Sequence, residues 1–323
     1  MSGRYENDML VDSKAQEKLA ELPEIITEYY FTLIGEGKSY RTAREYIGRV
    51  EGFIKHKYKN NCPEDFYTEI TSSDINRYMA AIRTKVVKGN KTRTSDSFRA
   101  TVWSSLKSFF DFLVPEYIDK NPVRYTNRPK VNDSPDVTFL TEEEINIVLS
   151  NAESMASSRL KNRDLCILKI GFATGLRVSA LMQIDIKDVN LKENYIKVIE
   201  KGDKAFTVFI GEKVKEQIEL WLKDRKKMVN DKSMKALFVS QEGNRLSVDR
   251  VAEMLERYSK GIDKKVTPHV MRHSCATNLY EKTGDIYLCA SQLNHKNIAT
   301  TQRYAEISTT KKREATNILD SLI

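Results

Sequence analysis

The helical patterning of this chain lapses between Asp119 and Val137 and resumes beyond it, and this gap does most to constrain the fold. The segment Asp-Lys-Asn-Pro-Val-Arg-Tyr-Thr-Asn-Arg-Pro-Lys-Val-Asn-Asp-Ser-Pro-Asp-Val carries three prolines and no amphipathic period, the composition of a linker. At 323 residues the chain exceeds the usual size of one domain, so two cores joined by that linker are expected. The pattern predicts a short tail over 1–13, a helical domain over 14–118, the linker over 119–137, a second domain over 138–310 and a C-terminal tail helix over 311–323.

Four amphipathic helices are expected before the linker, beginning near Ser13 and broken at Gly35-Glu-Gly37, at Asn60-Asn-Cys-Pro63 and at Lys88-Gly-Asn90. Ala43, Tyr46, Ile47, Val50, Phe53 and Ile54 recur at helical spacing, as do Phe98, Val102, Leu106, Phe109, Phe110 and Leu113. Each stripe needs another helix to cover it, which predicts a small bundle. Past the linker, Thr141-Glu-Glu-Glu144 satisfies a capping box and should start a helix. Asn194–Ile199 and Ala205–Ile210 are short, β-branched and aromatic, and read as a hairpin with Lys201 in or beside its turn. A short strand is expected near Leu237-Phe-Val239 and helices elsewhere. The fold class is therefore mainly α with a small β-sheet, an α+β second domain following a helical first one.

The 53 Lys and Arg against 45 Asp and Glu give a formal charge of +8, which favours a polyanionic partner. Cys62, Cys166, Cys275 and Cys289 are far apart and form no C-x-x-C pair, so reduced thiols are expected rather than a zinc ribbon or a disulfide framework. The N-terminus has no apolar leader pattern, and no run approaches the ~18 apolar residues of a membrane span. A cytoplasmic protein without membrane contact is the expectation.

Four segments of the second half carry groups suited to phosphodiester chemistry: Ala173-Thr-Gly-Leu-Arg-Val-Ser-Ala-Leu181, Glu200-Lys-Gly-Asp-Lys204, Thr267-Pro-His-Val-Met-Arg-His273 and Leu293-Asn-His-Lys-Asn-Ile-Ala-Thr-Thr-Gln-Arg-Tyr304. Cutting a phosphodiester without a metal requires a nucleophile, a proton for the leaving oxygen, and positive charge where the phosphorane becomes more anionic. Arg177 and Arg272 can each present a planar fork of donors to two phosphate oxygens. Pro268 favours the first turn of a helix, and His269 and Arg272, three apart, would leave the same face of it. His269 and His273 also have the spacing of a zinc-protease helix, but Val270 stands where the catalytic Glu must be and Arg272 would repel the cation.

In order and spacing, Arg177, Lys201, His269, Arg272, His295 and Tyr304 resemble the catalytic set of the tyrosine recombinases of the phage integrase family, over roughly 138–310. The resemblance implies that both arginines bind the nonbridging oxygens and that Lys201 protonates the departing 5′ hydroxyl, with Lys204 its near competitor. It further implies that His295 bonds the scissile phosphate or holds the site together, and that Tyr304 attacks phosphorus to give a 3′-phosphotyrosine. No metal or cofactor is implied. The implied function is site-specific recombination of double-stranded DNA through a Holliday junction, for integration, excision or resolution, by a homotetramer with a possible accessory DNA-bending protein. The helical domain would clamp DNA, and the tail, with Ile318, Leu319 and Leu322 at helical spacing, would dock on the next subunit or pack on its own. The basic run Arg83, Lys85, Lys88, Lys91 and Arg93 is a candidate phosphate track. Two departures stand out: Ala180 replaces the family's acidic residue, and Asn294 its common Gly. The alternatives are a catalytically impaired DNA-binding protein of the same fold and a type IB topoisomerase-like strand transferase.

Overall fold

The structure is a computed structural model that describes residues 13, 15–59, 61–87, 89–131, 138–200, 204–229, 231, 233–294, 301 and 304. The chain divides into two compact units, Met1–Asp133 and Ser134–Ile323.

In the first unit, residues 15–19 are helical and are followed by α1 (Glu24–Gly35), α2 (Tyr40–Tyr58), α3 (Ser72–Ala81) and α4 (Asp96–Leu113). The long first helix expected from Ser13 is thus two pieces, because Pro23 cannot continue a helix and instead precedes the first residue of α1. Ser39, Thr71 and Ser95 cap α2, α3 and α4 by accepting from backbone N–H groups of the first turn. The predicted stripes meet in an aromatic core in which Phe66 and Phe109 stack at 6.0 Å and Tyr29 meets Phe109 edge-on at 5.2 Å. Phe98, in the first turn of α4, is the exception and lies exposed.

Two features of this unit differ from the sequence expectation. Between α3 and α4 lies not a bare helix break but an antiparallel ribbon, β1 (Thr84–Val87) and β2 (Asn90–Arg93), in register Thr84↔Arg93 through Val87↔Asn90. Thr84, Val86 and Val87 favour extended backbone, and Gly89 at φ 81° supplies the turn. The start of the expected linker also belongs to this unit. Pro122–Tyr125 form a 3-10 turn capped by Asn121, Val123 is buried in the core, and Asn121 Nδ2 donates to Lys107 O and to Asp111.

The second unit is built around α6 (Lys161–Thr174), with Leu165, Cys166, Ile167, Leu168 and Ile170 all buried. Such a helix is apolar on most sides because it is covered on most sides, here by α5 (Glu142–Met155), α8 (Glu212–Met228) and α10 (Pro268–Thr283). The capping box at Thr141 and Glu144 is formed. A three-stranded antiparallel sheet of β3 (Val189–Asn190), β4 (Tyr195–Glu200) and β5 (Lys204–Phe209) contains the expected hairpin. Ala236 and Val239 make single bridges rather than the expected strand. Helices α7 (Val178–Gln183), α9 (Val248–Tyr258) and α11 (Ile286–Gln292) are further α-helices among the described residues of the unit.

One buried polar cluster ties α6 to α9. Asp164 is fully buried, accepts from Arg163 Nε at 2.9 Å and from the Tyr258 hydroxyl at 2.6 Å, and lies 3.3 Å from Arg257 Nη2. Burial and the neighbouring carboxylate raise the Tyr258 phenol well above its usual range, so it stays a donor. Asp164→Ala would strand the buried Arg163 guanidinium and the phenol together. We expect a loss of about 3–5 kcal/mol of stability, seen as a lower urea midpoint at an unchanged denaturant slope.

Candidate active site

Helix α10 is the spine of the site. Thr267 caps it by accepting from Val270 N at 3.3 Å, and Pro268 occupies the first turn, as its missing N–H allows. His269 stands exposed at the start of the helix, whereas Arg272 is nearly buried one turn on. Arg272 Nη1 donates to Gly175 O and Nη2 to Leu293 O, each at 2.8 Å. Two backbone carbonyls from different turns therefore fix the plane of this fork.

Both turns depend on left-handed backbone. Gly175 ends α6 at φ 63°, and a Cβ there would lie 2.6 Å from Leu293 Cδ2 and 3.1 Å from Cys275 Sγ. Glycine is thus demanded by conformation and by close approach. Asn294, which stands where the resembled pattern has Gly, adopts φ 50°. Asn tolerates that region better than most residues, so this departure preserves the turn that presents the Leu293 carbonyl. Burial pushes the Cys275 thiol beside Gly175 up to about 12, which keeps it neutral.

Arg177 lies two residues past Gly175, exposed at the N-cap of α7, where its carbonyl accepts from Ala180 N and Leu181 N at 2.8 and 2.9 Å. Ala180 is buried and carries no polar group to orient that guanidinium. Tyr304 is only 1% exposed, packed with Ala276 and Leu293. Its hydroxyl shares a 3.0 Å hydrogen bond with Nδ1 of His273. The His273 ring lies 6.5 Å from that of His269 at 29°, one helical turn apart.

Tyr304, His269 and Arg272 are thus linked through one helix and the Leu293 turn, with Arg177 just beyond Gly175. Lys201 and His295 lie outside the described residues. The β4–β5 pairing runs to Glu200↔Lys204, the two residues that flank the segment holding Lys201. His273, which the structure places against the Tyr304 hydroxyl, is not among the site residues expected from sequence. Its signal is the i, i+4 spacing from His269, which in sequence reads only as a metal-binding pattern. Among the described residues, no group of three or more His, Cys, Asp or Glu is placed to hold a metal ion. In the first unit, Arg83, Lys85, Lys91 and Arg93 are exposed on and beside the β1–β2 ribbon, with Arg93 3.4 Å from Asp96, while Lys88 lies outside the described residues.

Residues 138–311 match the model of the phage integrase family. The chain belongs to the phage integrase family. Among curated relatives, tyrosine recombinase XerC of Vibrio cholerae is 30% identical over 282 residues, 86% of each chain. In fold the chain is similar to the XerH site-specific recombinase bound to its palindromic difH substrate, with a TM-score of 0.67 and 21% identity over 87% of this chain and 80% of that one. It is also similar to a lambda integrase tetramer bound to a Holliday junction, with a TM-score of 0.65 and 18% identity over 87% of this chain and 76% of that one.

Proposed function

We propose that this protein is a site-specific tyrosine recombinase that breaks and rejoins double-stranded DNA through a 3′-phosphotyrosyl intermediate. The observation that carries the reading is the conjunction on α10: a guanidinium locked by two carbonyls, an exposed imidazole three residues before it, and a tyrosine hydroxyl held one residue after it. Arg177 and Arg272 bind the nonbridging phosphate oxygens and oppose the charge that grows on them. His269 donates to the same phosphate, Lys201 protonates the leaving 5′ oxygen, and His295 supports the phosphate. Tyr304 attacks phosphorus, and the phosphotyrosine conserves the energy of the broken bond, so religation needs no nucleotide cofactor.

The partner is a duplex recombination site engaged by a homotetramer that passes through a Holliday junction. The family match and the tetrameric, junction-bound neighbour of the same fold support this assembly. Among the described residues no helix is long and apolar enough to cross a membrane, and action on DNA fits a cytoplasmic location. Beside α10 lies a groove lined by Phe172, Leu279 and Leu288 and edged by the Lys282–Glu142 ion pair. Its chemistry suits the apolar residues Ile318, Leu319 and Leu322 of a C-terminal tail, that of a neighbouring subunit or the chain's own.

The test is an incubation in EDTA with nicked or junction-containing DNA from the genomic flanks of the gene encoding the protein, followed by denaturing electrophoresis and peptide mapping. A covalent adduct joining Tyr304 to a 3′ phosphate is the expected outcome, and its absence on a bound, correct site would overturn the reading. The ribbon makes a separate prediction. Replacing Lys85, Lys91 and Arg93 together by Gln should weaken binding to specific and nonspecific duplex alike. It should also flatten the salt dependence by about 0.9 in log–log slope for each phosphate that is no longer neutralised, as read by fluorescence anisotropy across a salt series.

A further inference from the structure

We propose that His273 is the general base for the attacking tyrosine: its Nδ1 accepts the Tyr304 hydroxyl proton as the oxygen bonds to phosphorus. The proposal rests on the recombinase chemistry stated above and adds a residue to it. Three observations carry it. Tyr304 Oη and His273 Nδ1 lie 3.0 Å apart, within the reach a base requires. Tyr304 is 1% exposed, so its hydroxyl is shielded from bulk water and His273 is a titratable side chain within direct reach of its proton. His273 also shares one helix with His269 and Arg272, with the two imidazole rings 6.5 Å apart. The group that holds the nucleophile and the groups that hold the phosphate are therefore set relative to each other by rigid backbone rather than by a loop.

Chemistry supplies the need. An unperturbed phenol has a pKa near 10, so only about one in a thousand is ionised at neutral pH, and a positioned base contributes roughly 10²–10⁴-fold. In the tautomer protonated at Nε2, the imidazole leaves Nδ1 to accept. In the step, the Oη–H bond breaks and the proton passes to Nδ1. The Oη–P bond forms, the P–O5′ bond breaks, and the leaving oxygen takes its proton from the acid assigned to Lys201. Religation runs the same transfers in reverse, and His273 returns the proton to the phenol.

The experiment compares wild type with His273→Asn, whose amide can still hydrogen-bond the hydroxyl but cannot take its proton. DNA affinity and the thermal midpoint are measured alongside single-turnover adduct formation. The variant should bind and fold as wild type does and form the adduct about 100-fold more slowly or worse. Both proteins are then prepared with a ring-fluorinated tyrosine at 304, whose more acidic phenol needs less help to ionise. The gap between them should narrow by about tenfold or more, a change that a packing role for His273 would not produce. If His273→Asn does not fold, His273→Gln carries the same comparison. Wild-type adduct rates in the variant, or a deficit that fluorination leaves unchanged, overturn the base assignment while leaving the recombinase reading intact. Failure of wild type to form any adduct overturns both.

Discussion

Tyr304→Phe should bind a recombination-site duplex with wild-type affinity and form no covalent protein–DNA adduct. The substitution removes one oxygen and leaves the ring, so the packing against Ala276 and Leu293 survives. Its cost to the fold includes the hydrogen bond to His273, about 1 kcal/mol, a loss on a scale that a folded domain tolerates. Its effect on chemistry is total, because phenylalanine offers nothing to attack phosphorus. Other tyrosines are poor substitutes. Tyr258 is fully buried with its hydroxyl committed to Asp164, and Tyr287, though exposed, lies on α11. Denaturing electrophoresis of a suicide-substrate reaction would read the result. An adduct in the variant, mapped to Tyr287 or any other residue, would show that the nucleophile has been misassigned.

The parts of this protein that are legible in the sequence are those specified by local signals. The capping box at Thr141, Pro268 opening α10, and the β-branched runs on either side of Lys201 each announce an element from a few neighbouring residues, and each is formed. The spacing of His269 and Arg272 places both on one helix for the same reason. The β1–β2 ribbon escapes a sequence reading because Lys88-Gly-Asn90 serves equally well as a break between helices and as a hairpin turn, and a four-residue strand is too short to show its period. The first residues of the expected linker mislead for a different reason. Prolines mark Asn121–Tyr125 as irregular, yet irregular backbone can still bury a side chain, as Val123 does. His273 lies beyond reach because its meaning depends on a residue 31 positions away, a separation no periodicity reports. Asn294 shows the converse, a departure from a motif that the backbone absorbs at φ 50°.

Arg272→Lys should slow DNA cleavage by about 10²–10³-fold, equivalent to roughly 2.7–4 kcal/mol of transition-state stabilisation, while changing DNA affinity little. Lysine keeps the positive charge, which dominates nonspecific attraction to phosphate. It does not keep the fork. Arg272 reaches Gly175 O with one terminal nitrogen and Leu293 O with the other, and a single ammonium on a flexible stem cannot hold both carbonyls and still present a fixed plane to phosphate. A carbonyl left without its donor in this nearly buried position costs about 1–3 kcal/mol, so the thermal midpoint should fall as well. The two losses are separable. Asp164→Ala, which removes the buried partner of Arg163 and Tyr258, should destabilise the same unit without displacing either carbonyl that holds the arginine. If stability alone set the rate, the two variants would lose activity in proportion to their midpoints. If the guanidinium acts on the transition state, Arg272→Lys will be far slower than its stability accounts for, at saturating DNA and at a temperature where both proteins are folded. Near-wild-type cleavage by Arg272→Lys under those conditions would remove this residue from the catalytic set.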